Sequence, residues 1–202
     1  MLAGFFKRES GFFLTGGAAL AGYHLGHRTT KDLDLFTTED RIEDGVAALT
    51  EVAREIGATL ESLRTSPGFR RYLLRRGPSS VVVDLVLDLA PQIFRDKPFV
   101  GTIRVDPPQE ILANKLCALL SRAEIRDLVD VRALEMAGYS IDEHLASAQR
   151  KDGGLTPGQL AWVLSQIEIG EDAIPPGEVT SSELREYLEG LKNRLAVRAF
   201  PE

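Results

Sequence analysis

The sequence predicts an α+β protein whose first half mixes strands with helices and whose second half is helical. Residues 11–88 contain short apolar or alternating runs separated by glycine-containing turns, the pattern of strands around amphipathic helices. After Pro107-Pro108 the apolar residues recur only at helical intervals. We therefore expect a mixed sheet flanked by helices over residues 1–106, and a C-terminal helical region packed on that core over residues 107–202.

Strands and helices alternate in the first half. The predicted strands are residues 11–15, 32–36, 58–64, 69–76, 80–88 and a short one near 100–105. The predicted helices are residues 18–25 and an amphipathic segment that runs from Glu39 to a stop at Gly57. Because Gly77-Pro78-Ser79 is a turn signal, the strands on either side of it should form a hairpin.

Five helices are predicted in the second half. They cover residues 108–122, 125–137, 141–150, 156–168 and 180–198, and residues 169–179 form a loop. Ser140 with Glu143, and Thr180 with Glu183, have the spacing of a capping box at a helix start. Pro157 suits the first turn of its helix.

The composition is that of a soluble globular protein. The 202 residues are 44% hydrophobic and 27% charged, and no apolar run approaches the roughly 20 residues that a membrane span needs. Lys7, Arg8 and Glu9 interrupt the apolar N-terminus, so we expect no export signal. The single cysteine, Cys117, fits a reducing cytoplasm, where we expect the protein to act.

Charge is unevenly distributed along the chain. The net charge of −6 argues against a surface built for general nucleic-acid binding. Between Glu61 and Asp84, however, there are no acids and five arginines, at positions 64, 70, 71, 75 and 76. These arginines either contact a local anionic ligand or are solvated on a hairpin.

Two aspartates on one predicted strand are candidate metal ligands. Asp32 and Asp34 are two residues apart, so their carboxylates project from the same face and repel each other unless a cation lies between them. Oxygen ligands of this kind suit Mg²⁺. Upstream, Gly16-Gly17 lies between a strand and a helix, where it either admits a phosphate or makes a tight turn. The simpler interpretation of the acids is an edge strand with one solvated face.

A third acid, Asp84, interrupts an otherwise apolar strand. A carboxylate in the middle of such a strand is costly unless it meets a cation or hydrogen-bond donors. Beside Asp32 and Asp34 it would complete the three-carboxylate arrangement used in two-metal nucleotidyl transfer.

A lysine and an aspartate are placed unusually in the helical half. Lys115 lies within the apolar arc of its helix, and Asp127 does the same on the next helix. Either the two side chains form an ion pair that joins the helices, or both contact a ligand.

Three segments together resemble the AbiEii/AbiGii nucleotidyltransferase toxin family, which belongs to the DNA polymerase β-like nucleotidyltransferases and includes the MenT toxins as relatives. The segments are FLTGGAALAGYHLGHRTTKDLDLF, VVVDLV and ILANKLCALLSRAEIRDLVDV, and the resemblance covers residues 10–140. It implies a nucleotidyltransferase fold. One departure is Gly17, at a position where serine is common in the superfamily, so that a hydroxyl contact to phosphate is absent. The other is that the family often has a longer N-terminal helical region.

The resemblance also implies a role for each motif residue. Gly16 and Gly17 match the turn that binds nucleotide phosphates, and Lys115 matches a lysine that meets those phosphates. Asp32 and Asp34 match the metal-binding pair, and Asp84 the third carboxylate, which is a second-metal ligand or a general base. Arg28 and Thr30 fall in the nucleotide-binding segment before the acids, and Asp127 matches the acid of the last motif.

The expected activity is transfer of a nucleoside monophosphate from a nucleoside triphosphate to an acceptor hydroxyl, with Mg²⁺ or Mn²⁺. By resemblance the acceptor is a tRNA 3′ end, and the protein is the toxin of a toxin–antitoxin pair with a cognate antitoxin protein. The alternatives are a protein or small-molecule (aminoglycoside-like) acceptor, which the acidic residues from Glu168 onward would suit, an idle nucleotide-binding module, and a structural protein with surface acids.

Overall fold

The computed structural model describes residues 1–199 and divides the chain into two compact units. The first, here called the sheet unit, comprises Met1–His24, Thr30–Leu89 and Phe94–Pro107. The second, called the helical unit, comprises Leu25–Thr29, Ala90–Ile93 and the chain from Pro108 onward. Within residues 1–199, every helix is too short or too polar to cross a bilayer.

A mixed five-stranded sheet forms the sheet unit, which confirms the predicted fold class. Its strands are β1 (Phe12–Thr15), β2 (Asp32–Thr37), β3 (Thr59–Ser66), β4 (Phe69–Arg76) and β5 (Ser79–Leu87). Their order across the sheet is β1-β2-β5-β4-β3. The β2–β5 pair is parallel and the other pairs are antiparallel, including the predicted β4–β5 hairpin.

Helix α3 covers one face of the sheet. The unit contains α1 (Leu2–Arg8), α2 (Gly16–Ala19), which continues as a π-helical segment (Leu20–Leu25), and α3 (Ile42–Glu55). Strand residues alternate between two faces. Arg70 of β4 forms an ion pair with Glu43 of α3, which shows that the face shared by Arg70 and Leu74 lies against α3. Asp34 and Asp84 therefore belong to the opposite face.

The first half differs from the prediction at two places. Residues 100–105 are not one strand but the hairpin of β6 (Phe99–Val100) and β7 (Ile103–Arg104), because Gly101, with φ +63°, turns the chain. Helix α1 was not predicted, since its seven residues are too few to show a period. It forms because Phe5 and Phe6 are buried, with the Phe5 ring edge-on to the ring of Phe12.

The helical unit contains the five predicted helices, which are α4 (Pro108–Arg122), α5 (Ile125–Met136), α6 (Ile141–Lys151), α7 (Pro157–Leu164) and α8 (Ser181–Ala199). Helix α7 is shorter than predicted. The Thr180–Glu183 capping box forms, with each side chain accepting the backbone N–H of the other residue. The Ser140 box was wrong, because the Ser140 side chain accepts no cap hydrogen bond.

Replacing Gly45 with alanine should destabilise the protein. A Cβ on this residue of α3 would lie 2.6 Å from Cζ of the buried Phe12 ring, so we expect Gly45→Ala to lower the free energy of unfolding by about 1–2 kcal/mol. Gly190→Ala is the matched control. Gly190 is exposed in α8, and no atom lies within 4 Å of the added carbon. The substitution should raise the free energy of unfolding by up to about 1 kcal/mol. Urea unfolding of both variants tests this, and equal effects would contradict it.

Candidate functional site

The parallel pairing of β2 with β5 brings two carboxylates side by side. Asp34 lies directly opposite Asp84 in the ladder, and Thr15 of β1 lies opposite Asp34 on its other side. Paired residues on neighbouring strands point to the same face, and Asp32, two residues before Asp34, shares that face. The two strands whose adjacency the predicted carboxylate site required are therefore neighbours.

An arginine that the sequence analysis did not single out binds Asp84. Arg71 of β4 pairs with Asp84 in the ladder, and its Nε and Nη2 donate to the two carboxylate oxygens at 2.8 and 2.6 Å. The Asp84 side chain is only 8% exposed, whereas that of Arg71 is 45% exposed. The hydrogen bond to Asp84 raises the pKa of Arg71, and the nearby charges of Asp32 and Asp34 act in the same direction. Arg71 thus offsets part of the charge of these three acids.

The donor chemistry of this face fits a divalent cation. Among residues 1–199, no group of three or more His, Cys, Asp or Glu side chains is arranged to hold a metal ion. Both oxygens of Asp84 accept from Arg71, and Asp32 and Asp34 are two further carboxylates on this face. One or two carboxylates are what Mg²⁺ commonly takes from a protein, with water and phosphate oxygens as its other ligands. Each oxygen of Asp84 keeps a second lone pair beside its hydrogen bond from Arg71, so Asp84 could supply a third ligand.

Gly16 is required by the position of Asp34. The backbone of Gly16 has φ +63°, and a Cβ on it would lie 2.1 Å from Oδ2 of Asp34. Gly17 follows within the first turn of α2 and is buried. The backbone of this turn therefore approaches the carboxylate more closely than any other residue type would permit. At the start of β2, the Thr30 hydroxyl lies 3.4 Å from the backbone nitrogen of Asp32.

The helical unit contains a buried cluster of charges. Lys115 Nζ of α4 lies 2.8 Å from Asp127 Oδ1 and 2.6 Å from Asp130 Oδ2, both on α5. The Lys115 side chain is 7% exposed and the two carboxylates are fully buried. The ion pair between helices that the sequence left open is thus present. Ala123, with φ +49°, makes the tight connection between α4 and α5.

Asp130 is the centre of this cluster and was not identified from the sequence. Arg28 Nε and Nη2 donate to its two oxygens at 2.6 and 2.8 Å, and His27 Nε2 donates to Oδ1 at 2.7 Å. Asp127 receives two further hydrogen bonds from Arg122. The available signal was the spacing of Asp127 and Asp130, which lie three apart and so share a helix face.

Hydrogen bonds and ion pairs keep both aspartates ionised. Burial by itself would raise the pKa of each carboxyl group. Hydrogen bonds from Arg122 and Lys115 hold the pKa of Asp127 below its ordinary value, and those from Arg28 and His27, with the charge of Lys115, depress the pKa of Asp130 strongly. The cluster is therefore charged at neutral pH.

The candidate residues fall into two groups. Gly16, Gly17, Thr30, Asp32, Asp34 and Asp84 belong to the sheet unit, and Arg28, Lys115 and Asp127 belong to the helical unit. The first group lies around the paired β2 and β5 strands, and the second lies in the charge cluster.

Two solved structures from Helicobacter pylori share this fold. A candidate nucleotidyltransferase has a TM-score of 0.59 and 18% sequence identity, covering 98% of this chain and 92% of its own. The protein JHP933 has a TM-score of 0.57 and 20% sequence identity, and the match covers 98% of this chain and 89% of JHP933. The chain accordingly has the same fold as these two proteins.

The family is shown by sequence comparison. The family model described as nucleotidyl transferase AbiEii toxin, type IV TA system, matches residues 2–194. The chain therefore belongs to the AbiEii family of nucleotidyltransferase toxins, in agreement with the resemblance found in its motifs. No curated protein matches the sequence.

Alanine at position 16 should destabilise the protein more than alanine at another glycine with a left-handed backbone conformation. Gly57 has nearly the same φ, +65°, but no atom within 4 Å of an added Cβ. Gly57→Ala should therefore lower the free energy of unfolding by about 1–2 kcal/mol, through backbone strain alone. Gly16→Ala must also displace Asp34, and should lower it by at least about 1 kcal/mol more. Urea unfolding measures both variants, and a Gly16→Ala variant as stable as Gly57→Ala would refute the close contact.

The Asp130 cluster should make stability depend on acid pH. Because the pKa of Asp130 is lower in the folded state, the unfolded chain binds more protons; this stabilisation is complete above the ordinary aspartate pKa of about 3.9 and is lost as pH falls. Asp130→Asn should cost about 3 kcal/mol at pH 7 and progressively less as pH falls below about 4, which thermal unfolding from pH 7 to 3 will measure.

Asp142→Asn is the control for this change, because Asp142 pairs with Arg198 at an exposed site. It should cost less than about 1 kcal/mol at every pH. A constant difference between wild type and Asp130→Asn across the pH range would show that Asp130 is not preferentially ionised in the fold.

Proposed function

We propose that this protein transfers a nucleoside monophosphate from a nucleoside triphosphate to the 3′ end of an RNA, such as a tRNA, with Mg²⁺ or Mn²⁺. The observation that supports this most directly is the in-register pair of Asp34 and Asp84 in a member of a nucleotidyltransferase family. We propose further that it acts in the cytoplasm, as a toxin whose effect a cognate antitoxin protein opposes.

Asp32 and Asp34 are the proposed ligands of the divalent cation. When bound, this ion would neutralise triphosphate charge and make the α-phosphorus more electrophilic. The backbone of Gly16-Gly17 leaves room for phosphate next to Asp34, because neither residue has a side chain. Lys115 is proposed to contact nucleotide phosphate, which would compete with Asp127 and Asp130 for its ammonium group.

Arg28, Thr30 and Asp127 are proposed to act by supporting these groups. Thr30 lies against the backbone at Asp32, at the start of β2. Asp127 holds the ammonium group of Lys115, and Arg28 neutralises Asp130. Each contact fixes a residue next to a proposed ligand-binding group, as nucleotidyl transfer requires of positioning residues.

Asp84 is proposed to accept the proton of the attacking hydroxyl. The acceptor oxygen forms a bond to the α-phosphorus, the bond from that phosphorus to pyrophosphate breaks, and the hydroxyl proton moves to a carboxylate oxygen of Asp84. Both oxygens of Asp84 accept a hydrogen bond from Arg71. Each of these oxygens keeps a second lone pair, which can take the hydroxyl proton.

Asp34→Asn should abolish nucleotide transfer. The test incubates purified protein with total RNA, each α-labelled nucleoside triphosphate in turn, and Mg²⁺ or Mn²⁺. Loss of a carboxylate that binds the cation should reduce incorporation by more than about 100-fold, since even indirect supports of metal ligands commonly contribute 10–100-fold. Asp40→Asn is the control. Asp40 is exposed, and its substitution removes the same charge from the sheet unit.

The other outcomes separate the alternatives. Label in protein or in an added aminoglycoside, with none in RNA, would replace the proposed acceptor and keep the transfer reaction. Nucleotide binding by calorimetry without incorporation into any acceptor would indicate an idle binding module. An Asp34→Asn variant as active as wild type would overturn the proposed role of the carboxylates.

A further inference from the structure

The sheet face that carries the carboxylates continues across the β3–β4 hairpin. Arg71 is the ladder partner of Asp84, and Arg64 of β3 is the ladder partner of Arg71. Since paired residues share a face, Asp34, Asp84, Arg71 and Arg64 form one row across four adjacent strands. The row is acidic on β2 and β5 and basic on β4 and β3.

An aromatic ring lies within cation–π distance of both arginines. Phe69 is two residues before Arg71 on β4 and therefore shares its face. The guanidinium carbon of Arg64 lies 5.7 Å from the centre of the Phe69 ring, and that of Arg71 lies 5.6 Å from it. We call Arg64, Phe69 and Arg71 the arginine strip.

The arginine strip is accessible, and its charge is only partly balanced within the sheet unit. Arg64 is exposed, Arg71 is 45% exposed at its side chain, and Phe69 is half-buried. Arg70 pairs with Glu43 and Arg75 lies 3.7 Å from Glu61, but Arg64 has no carboxylate partner among residues 1–199. Its guanidinium lies 5.7 Å from the centre of the Phe69 ring.

These groups have the chemistry of a site for single-stranded nucleic acid. Guanidinium groups bind phosphate through paired hydrogen bonds, and an accessible aromatic ring stacks on an unpaired base. A base within a duplex is stacked on its neighbours and cannot meet the ring. Arg64 lies two strands, about 10 Å, from Asp84, a distance that a strand end of one or two nucleotides can span.

We propose that the arginine strip binds the unpaired 3′ end of the acceptor strand and directs its terminal hydroxyl to Asp84. The phosphates contact Arg64 and Arg71, and a base stacks on Phe69. That this hydroxyl accepts the nucleotide rests on the proposed function, whereas binding of the RNA strand does not. Arg71 is the bidentate partner of Asp84, and a phosphate that attracts Arg71 would free further lone pairs of this carboxylate for the hydroxyl proton.

Binding can be measured apart from catalysis. Fluorescence anisotropy of a short labelled single-stranded RNA, in EDTA and without nucleotide, excludes any transfer. Arg64→Gln should weaken binding about 3–10-fold and reduce the magnitude of the salt-dependence slope by about 0.7, and Phe69→Leu should weaken it about 5–100-fold. Arg76→Gln is the matched control, since Arg76 is exposed on the opposite face of β4; its affinity should stay within about twofold of wild type. Thermal unfolding checks that each variant is folded.

Loss of affinity in Arg64→Gln and Phe69→Leu, with Arg76→Gln unchanged, would support the arginine strip. The arginine strip would be overturned if all three variants bound the RNA with the same affinity as one another. It would also be overturned if a blunt RNA duplex competed for binding as well as the single strand does. If strip variants bind RNA normally while wild type labels RNA, this inference falls and the proposed function stands. If wild type binds RNA through the strip but transfers no nucleotide, the inference stands and the proposed function falls.

Discussion

The adjacency of β2 and β5 is the constraint on which the candidate site depends. Parallel pairing puts Asp34 beside Asp84, and two like charges facing each other across a ladder destabilise the sheet unless a cation compensates them. The hairpin partner of β5 supplies that cation as Arg71, which binds Asp84 through both of its oxygens. The position of Asp34 also requires glycine at position 16, because no larger residue fits against the Asp34 carboxylate. Arg71 and Gly16 are thus both explained by one strand pairing.

The helical unit solves a similar electrostatic problem in its interior. Two fully buried aspartates on α5 would each be costly alone, and they are tolerated because Lys115, Arg28 and Arg122 supply cations with direct hydrogen bonds. Arg28 belongs to the short segment Leu25–Thr29, which the chain contributes to this unit just before β2 begins. The contacts of Asp130 therefore also fix the backbone a few residues upstream of Asp32. A buried charge network of this kind specifies one arrangement of its helices as well as contributing to stability.

Much of the fold could be predicted because its signals are local, and some of the site could have been predicted by the same means. The turn at Gly77-Pro78 places Arg76 opposite Ser79, and counting five residues outward along both strands reaches Arg71 and Asp84. Asp130 likewise shares a helix face with Asp127. By contrast, α1 and the β6–β7 hairpin are too short for periodicity to identify, and they form because of contacts made by Phe5 and Phe6 and a turn at Gly101.

The sequence by itself determined most of the longer strands and helices, that Asp32 and Asp34 share a face, and that β4 and β5 form a hairpin. These features depend on residue spacing and turn chemistry within a few residues of each other. Only the tertiary structure decided that β5 is the parallel neighbour of β2, that Asp84 binds Arg71, and that Lys115 lies between Asp127 and Asp130. Those pairings join segments far apart in the chain, where strand order and helix packing, not local spacing, select the partner.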